Sequence, residues 1–138
     1  MNNLLEEISL INTIHLKDVF SVDLYNNSII EVHWNTKLKT IEKSHLQELT
    51  KTIGLLGNHK KMLVHITTFD FMHVSEEGRI YSATKNAGRY TLVSSIQIDS
   101  LAKRILFNFY MKFHKPMHPM KAFSDRNSAF EWLLSFKD

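Results

Sequence analysis

Histidine side chains are the residues of this sequence best suited to acid–base chemistry, because an imidazole titrates near neutral pH. Two of the eight histidines, His33 and His65, lie in segments with the apolar patterns of strands. On neighbouring strands the two rings would approach each other and could form a general base or a pair of ligands. A histidine hydrogen-bonded within its sheet is the commoner arrangement, and the sequence offers no convergent set of acids and bases.

Metal, nucleotide and thiol chemistry have little support in the sequence. His114 and His118 are four residues apart, but Pro116 lies between them and prevents one helical face from presenting both to a metal. There is no cysteine, so there is no thiolate nucleophile, and four glycines leave little for a phosphate-cradling loop. We therefore expect no catalytic residue, no metal ligand and no cofactor.

The composition indicates one folded domain over residues 1–138. With 43 % hydrophobic residues the chain can build a single core without disulfides. The absence of cysteine fits a reducing compartment. The N-terminus lacks the features of a secretory signal, and no apolar run approaches the roughly 20 residues of a membrane span. We expect a soluble, cytoplasmic protein.

The charge distribution gives little support for a nucleic-acid partner. Lys and Arg outnumber Asp and Glu by 17 to 14, and they are scattered along the chain. Nucleic-acid surfaces combine a basic stripe with stacking aromatic residues. The nearest candidate stripe lies around the C-terminal helix and comprises Lys103, Arg104, Lys112, Lys115 and Lys121. Solvated lysines around a core explain it better.

Six segments have the apolar patterns of strands. Residues 19–25 and 30–34 alternate around Asn26 and Asn27, which predicts a hairpin. Residues 61–67 are apolar without alternation, as expected for a parallel strand covered on both faces. The predicted strands are 7–17, 19–25, 30–34, 61–67, 89–96 and 121–123.

Four segments have helical spacing and a residue suited to begin a helix. The first has Ser44 and Gln47 in capping-box spacing and ends at Gly57. The second runs from about Ser75 to Ala87, with Gly88 as its stop. The third extends to about His114, where two prolines must break it. The remaining predicted caps are Asp99 and Ser124, and the buried face of the last helix is Ala129, Trp132 and Leu133.

The third helix has more apolar surface than one buried face requires. We predict that its core stripe comprises Leu101, Ala102, Ile105, Leu106, Phe109 and Phe113. A second apolar face comprises Phe107, Tyr110 and Met111. With Phe71 and Met72, which lie in the loop before the second helix, this second face is a candidate surface for a partner or an apolar ligand. Alternatively, the N-terminal strand or the loop at residues 69–74 covers it.

The element order and three segments resemble the SpoIIAA-like superfamily, which holds the STAS domains of anti-sigma-factor antagonists and a bacterial STAS/SEC14-like branch. Residues 63–75 resemble the strand, loop and helix start of the STAS signature. Glu77-Gly78-Arg79, and residues 115–123 followed by 129–133, resemble that branch. The resemblance implies an α/β fold with a mixed, partly parallel sheet of about five or six strands and four main helices.

The resemblance also directs attention to Ser75, because regulatory STAS domains are phosphorylated at the serine that starts this helix. A phosphate there would meet free N–H groups and the positive end of the helix dipole. The family's Asp-Ser-Ser-Gly run is absent, however, and Glu76 and Glu77 would repel an incoming phosphate. Ser75 is a candidate phosphoacceptor or a helix cap alone, and we favour the cap.

Three functions stay open. The resemblance implies a non-enzymatic regulatory or protein-interaction module, which could form a homodimer. The SEC14-like part of the branch and the apolar surplus of the third helix favour a carrier of a lipid or small apolar ligand. A small enzyme is the least favoured. A closed apolar cavity would favour the carrier, a flat exposed apolar patch the module, and paired ionisable groups in a cleft the enzyme.

Overall fold

The computed structural model describes residues 7–70 and 72–137, which form one mixed sheet with helices on both faces. Six strands lie in chain order across this part: β1 Leu10–Leu16, β2 Phe20–Tyr25, β3 Ile29–Trp34, β4 Met62–Ile66, β5 Thr91–Gln97 and β6 Met120–Phe123. The first three are antiparallel neighbours, whereas β3 to β6 pair in parallel. The predicted fold class is confirmed.

Each parallel pair needs a crossover, and a helix supplies each one. The helices are α1 Lys43–Leu56, α2 Glu76–Ser82, α3 Leu101–Phe113 and, after the last strand, α4 Arg126–Leu134. Since the three crossovers advance in one direction and crossovers are almost always right-handed, α1, α2 and α3 lie on the same face of the sheet. The fourth helix covers the opposite face.

Two apolar clusters fill the two sides of the sheet. On the first face, Val22, Val32 and Val64 pack with Leu49 and Ile53 of α1. On the second, the α4 residues pack on sheet residues in a cluster of Ile29, Leu63, Val93, Phe130 and Leu133. Trp132 is half-buried beside buried Ala129 and Leu133, as predicted for the last helix. No helix in the described ranges has both the length and the apolar character to cross a membrane.

The helix caps agree with prediction at only one of four positions. Ser75 caps α2, and its hydroxyl oxygen accepts a hydrogen bond from the Gly78 N–H at 3.0 Å. In the other three helices the observed cap lies one or two residues from the predicted one. Ser44, Asp99 and Ser124 each stand within two residues of another side chain that can hydrogen-bond a helix start, so spacing alone does not select the cap. The observed caps are Glu42 for α1, Ser100 for α3 and Asp125 for α4.

The second helix ends five residues before the predicted Ala87. Thr84 stops it, since its hydroxyl donates to the Tyr81 carbonyl at 2.6 Å and accepts from the Ala87 N–H at 3.3 Å. Gly88 is therefore not the helix stop. It allows a close approach instead, because a Cβ at residue 88 would lie only 2.9 Å from His118 Nδ1.

Candidate functional site

A largely apolar cavity of about 510 Å³ lies between the first face of the sheet and the helices above it. Val64, Ile66 and Ile96 of the parallel strands form its floor. Helix α1 contributes Leu49 and Ile53, which belong to the first apolar cluster. The volume falls within the range of about 300 to 1,000 Å³ typical of small-molecule sites.

Helix α3 creates this cavity because it stands away from the sheet. Helix α1 has six buried residues and the shorter α4 has three, but α3 has none. Phe107, Tyr110 and Met111 are half-buried and line the cavity from above. The space between them and β5 is filled by no side chain of the described residues, so α3 forms a roof over the cavity.

The predicted orientation of α3 is wrong, because its two apolar faces are exchanged. Most of the stripe assigned to the core faces outward: Leu101, Ile105, Phe109 and Phe113 are 75, 62, 57 and 61 % exposed. Both faces are apolar, so helical periodicity could not decide between them. Contacts of Lys103 help to set the orientation of α3. Its side chain is only 16 % exposed, and its Nζ pairs with Asp99 at 2.8 Å and Asp70 at 3.4 Å.

Of the two loop residues assigned to the same candidate surface, one lies on the cavity. Met72 is half-buried and lines it. Phe71 lies outside the described residues. The candidate residues Phe107, Tyr110, Met111 and Met72 therefore come together around one space, as a ligand surface requires.

A few polar groups interrupt the cavity wall, and most have partners. Thr50 Oγ1 lies 2.9 Å from the Tyr81 hydroxyl. Ser94 Oγ, from the middle of β5, lies 2.8 Å from His118 Nε2. Burial, reinforced by the charge of Lys61, lowers the pKa of His118, so this ring is neutral at pH 7. Such sparse polar groups in an apolar wall orient a ligand without filling the site.

The opposite face of the sheet carries a cluster of charged residues around one buried carboxylate. Glu31 is 2 % exposed and accepts two hydrogen bonds from Arg126, Nε to Oε2 at 2.8 Å and Nη2 to Oε1 at 3.1 Å. The Tyr25 hydroxyl donates to Oε1 at 3.1 Å. His33 Nε2 lies 3.3 Å from Glu31 Oε1 and 3.4 Å from Asp23 Oδ2.

These contacts fix the protonation states of the cluster. Burial alone would raise the pKa of Glu31, but hydrogen bonds from His33 and Arg126 outweigh it and lower that pKa to about 2. The hydrogen bond to Glu31 raises the pKa of His33. Burial, with the Glu31 charge beside it, raises the pKa of Tyr25 to about 12. At neutral pH the carboxylate is ionised and the phenol is protonated.

Asp23, Glu31 and His33 also have the composition of a metal site, since one ligand atom from each lies within 4.8 Å of the others. Arg126, however, already engages both oxygens of Glu31 and supplies the positive charge that a cation would bring. The geometry therefore describes an ion-pair network that joins α4 to the sheet, and we assign no metal to it.

The predicted approach of two sheet histidines gives no catalytic pair. His65 is fully buried opposite Glu31 in the register of β3 and β4, and its ring lies 2.7 Å from Ser95 Oγ and 3.2 Å from Gln97 Oε1. Burial lowers its pKa. His33 contacts the carboxylates instead. Both rings are thus hydrogen-bonded within the sheet, which is the commoner arrangement for a sheet histidine.

Two groups of side chains that meet in the fold could not be found from sequence spacing. Glu31 and Arg126 are 95 residues apart, and the only signal was a carboxylate inside the apolar segment 29–34. Arg79 and Ser94 belong to α2 and β5 and meet the cavity only because the sheet brings those elements together. Arg79 stood out only as part of the Glu77-Gly78-Arg79 segment, which carries no information about a cavity, and no local pattern marks Ser94.

Comparison with known proteins supports the fold and supplies a family. A crystal structure of a protein of the DUF3478 family from Shewanella loihica PV-4, described as having a SpoIIAA-like fold, superposes with a TM-score of 0.51 at 12 % identity, covering 91 % of this chain and 93 % of that one. No protein of curated function matches the sequence. The model of the domain of unknown function DUF7793 matches residues 24–137, so the chain belongs to the DUF7793 family and has a SpoIIAA-like fold.

Proposed function

We propose that this protein is a non-enzymatic carrier or receptor that binds a lipid or other small apolar ligand beneath helix α3. The observation that carries the proposal is the cavity of about 510 Å³, whose floor, sides and roof are mainly apolar. Helix α3 rests on it without a single buried residue. A helix held this loosely can move to admit a ligand, because little packing is lost when it lifts.

The free energy available from such a cavity is sufficient for binding. Burial of one methylene gains about 0.8 kcal/mol, so an alkyl chain of about twelve carbons gains roughly 9 to 10 kcal/mol in gross terms. Association costs at least about 4 kcal/mol in lost translational and rotational freedom. The remainder of about 5 to 6 kcal/mol corresponds to a dissociation constant of roughly 0.1 mM or weaker.

The proposal is tested with delipidated protein and N-phenyl-1-naphthylamine, a probe whose fluorescence rises in apolar surroundings. We expect saturable binding by the wild type and a loss of at least about tenfold in affinity for Ala87→Phe, which places a ring in the cavity wall. Ala83→Phe is the matched control, because Ala83 is half-buried outside the wall. Absence of saturable binding by the wild type would contradict the proposal.

The outer face of α3 supports a second candidate function, the protein-interaction module implied by the SpoIIAA-like resemblance. Leu101, Ile105, Phe109 and Phe113 form one exposed apolar stripe at spacings of four residues. Phe107, Tyr110 and Met111 face the cavity, so the outer stripe takes the partner role first assigned to them. A second copy of the chain is the simplest partner.

Light scattering over a range of protein concentrations tests this second candidate. We expect the wild type to dimerise weakly and Phe109→Ser with Phe113→Ser to stay monomeric, since these rings are more than half exposed. Wild-type protein that stays monomeric at every concentration would exclude the homodimer. The cytoplasm is the compartment we propose for either function, because a chain without cysteine suits reducing conditions.

A further inference from the structure

Arg79 is an unusual residue for the wall of an apolar cavity. Three charged side chains line the cavity among the described residues: Asp70, Arg79 and Lys103. Lys103 is neutralised by its ion pairs with Asp70 and Asp99. Within residues 7–70 and 72–137, Arg79 has no carboxylate in ion-pair distance. Its positive charge is therefore uncompensated beside a space that a ligand would occupy.

The guanidinium is held in place but keeps donors to spare. Its Nη1 donates to the Val74 carbonyl oxygen at 2.5 Å, which anchors it to the start of α2. Its carbon lies 4.6 Å from the centre of the Tyr110 ring, so it stacks under the roof helix. A guanidinium has five N–H donors in a planar fork that fits carboxylate and phosphate groups. Among the described residues, one of these donors has a hydrogen-bond acceptor.

The roof also contributes a histidine to the cavity wall. His114 lies one turn after Tyr110, with its backbone N–H bonded to the Tyr110 carbonyl at 2.7 Å, and it lines the cavity. The Nδ1 atom of His114 is buried and has no hydrogen-bond partner among the described residues. A buried polar atom without a partner is expensive, and a polar ligand group nearby would relieve that cost.

We infer that the ligand is an amphiphile with an anionic head group, carboxylate or phosphate, that accepts hydrogen bonds from Arg79 while its alkyl chain occupies the apolar cavity. This inference rests on the proposed binding function. It names the chemical class of the ligand and gives Arg79 the specificity-determining role. Because Arg79 also contacts Tyr110, the head group would bind next to the contact that joins α2 to the roof.

The test compares dodecanoate, dodecyl phosphate and dodecanol as competitors of N-phenyl-1-naphthylamine on delipidated protein. The three share one alkyl chain and differ in the head group. We expect at least one of the two anions to displace the probe at a concentration about tenfold or more below that of the alcohol, the ratio typical of a charge-assisted hydrogen bond. The preferred anion shows whether the head group of the ligand is a carboxylate or a phosphate ester.

Arg79→Met should bind the anions and the alcohol with about equal affinity. Arg79→Lys should keep part of the preference for anions because it keeps the charge. Arg89→Met is the matched control. Arg89 also stacks on a tyrosine, at 4.9 Å from the Tyr90 ring centre, but it is exposed and lies outside the cavity wall. This variant should keep the full preference for anions.

Two results would overturn the inference. One is a wild-type protein that binds the alcohol as tightly as both anions. The other is an Arg79→Met variant that keeps its thermal transition and the anion preference. In both cases the probe still binds, so the proposed function stands. Failure of the probe and of all three competitors to bind the wild type would instead contradict the proposed function itself.

Discussion

Single side chains of this protein are held by partners that other elements bring to them. Glu31 is the clearest case, because its carboxylate is buried in the sheet yet stays ionised beside Arg126 and His33. A buried carboxylate without such partners would be neutral. Ser75 shows the opposite situation, in which a residue satisfies the helix that it begins and depends on little else.

The pH dependence of stability should report the charge of His33. Its pKa is raised in the folded state, so its contribution to stability is fully present below about pH 6.5 and is lost as the pH rises through the higher folded value. We expect the difference in the free energy of unfolding between wild type and His33→Gln to shrink between pH 6 and pH 8.5, measured by urea denaturation. His15→Gln is the control, since His15 is exposed on β1. A difference that grows with pH would contradict this assignment.

The cap at Ser75 should have a measurable energy. Ser75→Ala should lower the free energy of unfolding by about 1 kcal/mol, while Ser75→Asp should keep it, because aspartate caps equally well and suits the helix dipole. Ser44→Ala is the control, because Ser44 lies exposed inside α1 and not at its cap. It should change the free energy of unfolding by less than about 0.5 kcal/mol.

The same variants bear on modification of Ser75. A protein partner that binds wild type but rejects Ser75→Asp would support a phosphoserine switch, since the aspartate imitates the added charge. A partner that ignores the substitution would leave the serine as a helix cap. Phosphorylation of Ser75 stays a prediction drawn from the resemblance to STAS domains.

Helices of similar length differ strongly in how they are attached to this fold. α1 has 14 residues and α3 has 13, but the first is packed into the core and the second forms the roof of a cavity. Tertiary packing supplies most of the stability of a protein helix. A helix without buried residues should therefore open at a small fraction of the global free energy of unfolding.

Hydrogen exchange should separate these two helices. We expect the backbone amides of α3 to exchange at least about tenfold faster than those of α1 in delipidated protein, measured by mass spectrometry on peptides covering residues 43–56 and 101–113. Addition of whichever anion, dodecanoate or dodecyl phosphate, binds more tightly should slow exchange in α3 much more than in α1. Equal protection of both helices in the free protein would show that α3 is as firmly packed as the core.

At the scale of the whole molecule, the two faces of the sheet are packed differently. The face under α4 is closed by fully buried side chains and by the ion pair that ties Arg126 to Glu31. The face under α1 to α3 is closed where α1 packs on β2 and β3, and it is open over β4 and β5, whose residues form the floor of the cavity. Both faces therefore contribute buried core, and the first also leaves the space that the proposed ligand would occupy.

Loss of α4 packing should consequently unfold the molecule. Phe130 is fully buried and contacts the rings of His65 and Tyr25, so Phe130→Ala should cost about 3 to 5 kcal/mol, and truncation before Ser124 should unfold or aggregate the protein. Phe136→Ala is the control, since Phe136 is 39 % exposed and should cost much less. The midpoint of thermal unfolding measures both. A small shift for Phe130→Ala would show that α4 is a removable appendage.

The sequence by itself determined the elements and their order. Apolar alternation in residues 19–34, the continuous apolar run at residues 61–67 and the breaks near Gly57 and Pro116 are local signals, and each strand or helix they predict is present. These signals suffice because the periods of strands and helices differ and because proline and glycine interrupt both. The hydroxyl cap at Ser75 is local in the same sense.

Only the tertiary structure decided how α3 is oriented and which residues meet. The helix is apolar on both faces, so its own sequence contains no information about which face turns inward; contacts such as Lys103 with Asp70 help to set it. Arg79, Ser94 and Tyr110 belong to three separate elements, and a cavity between them exists only after the sheet has assembled. Local periodicity fixes what an element is, whereas the partners of its side chains depend on contacts between residues far apart in the chain.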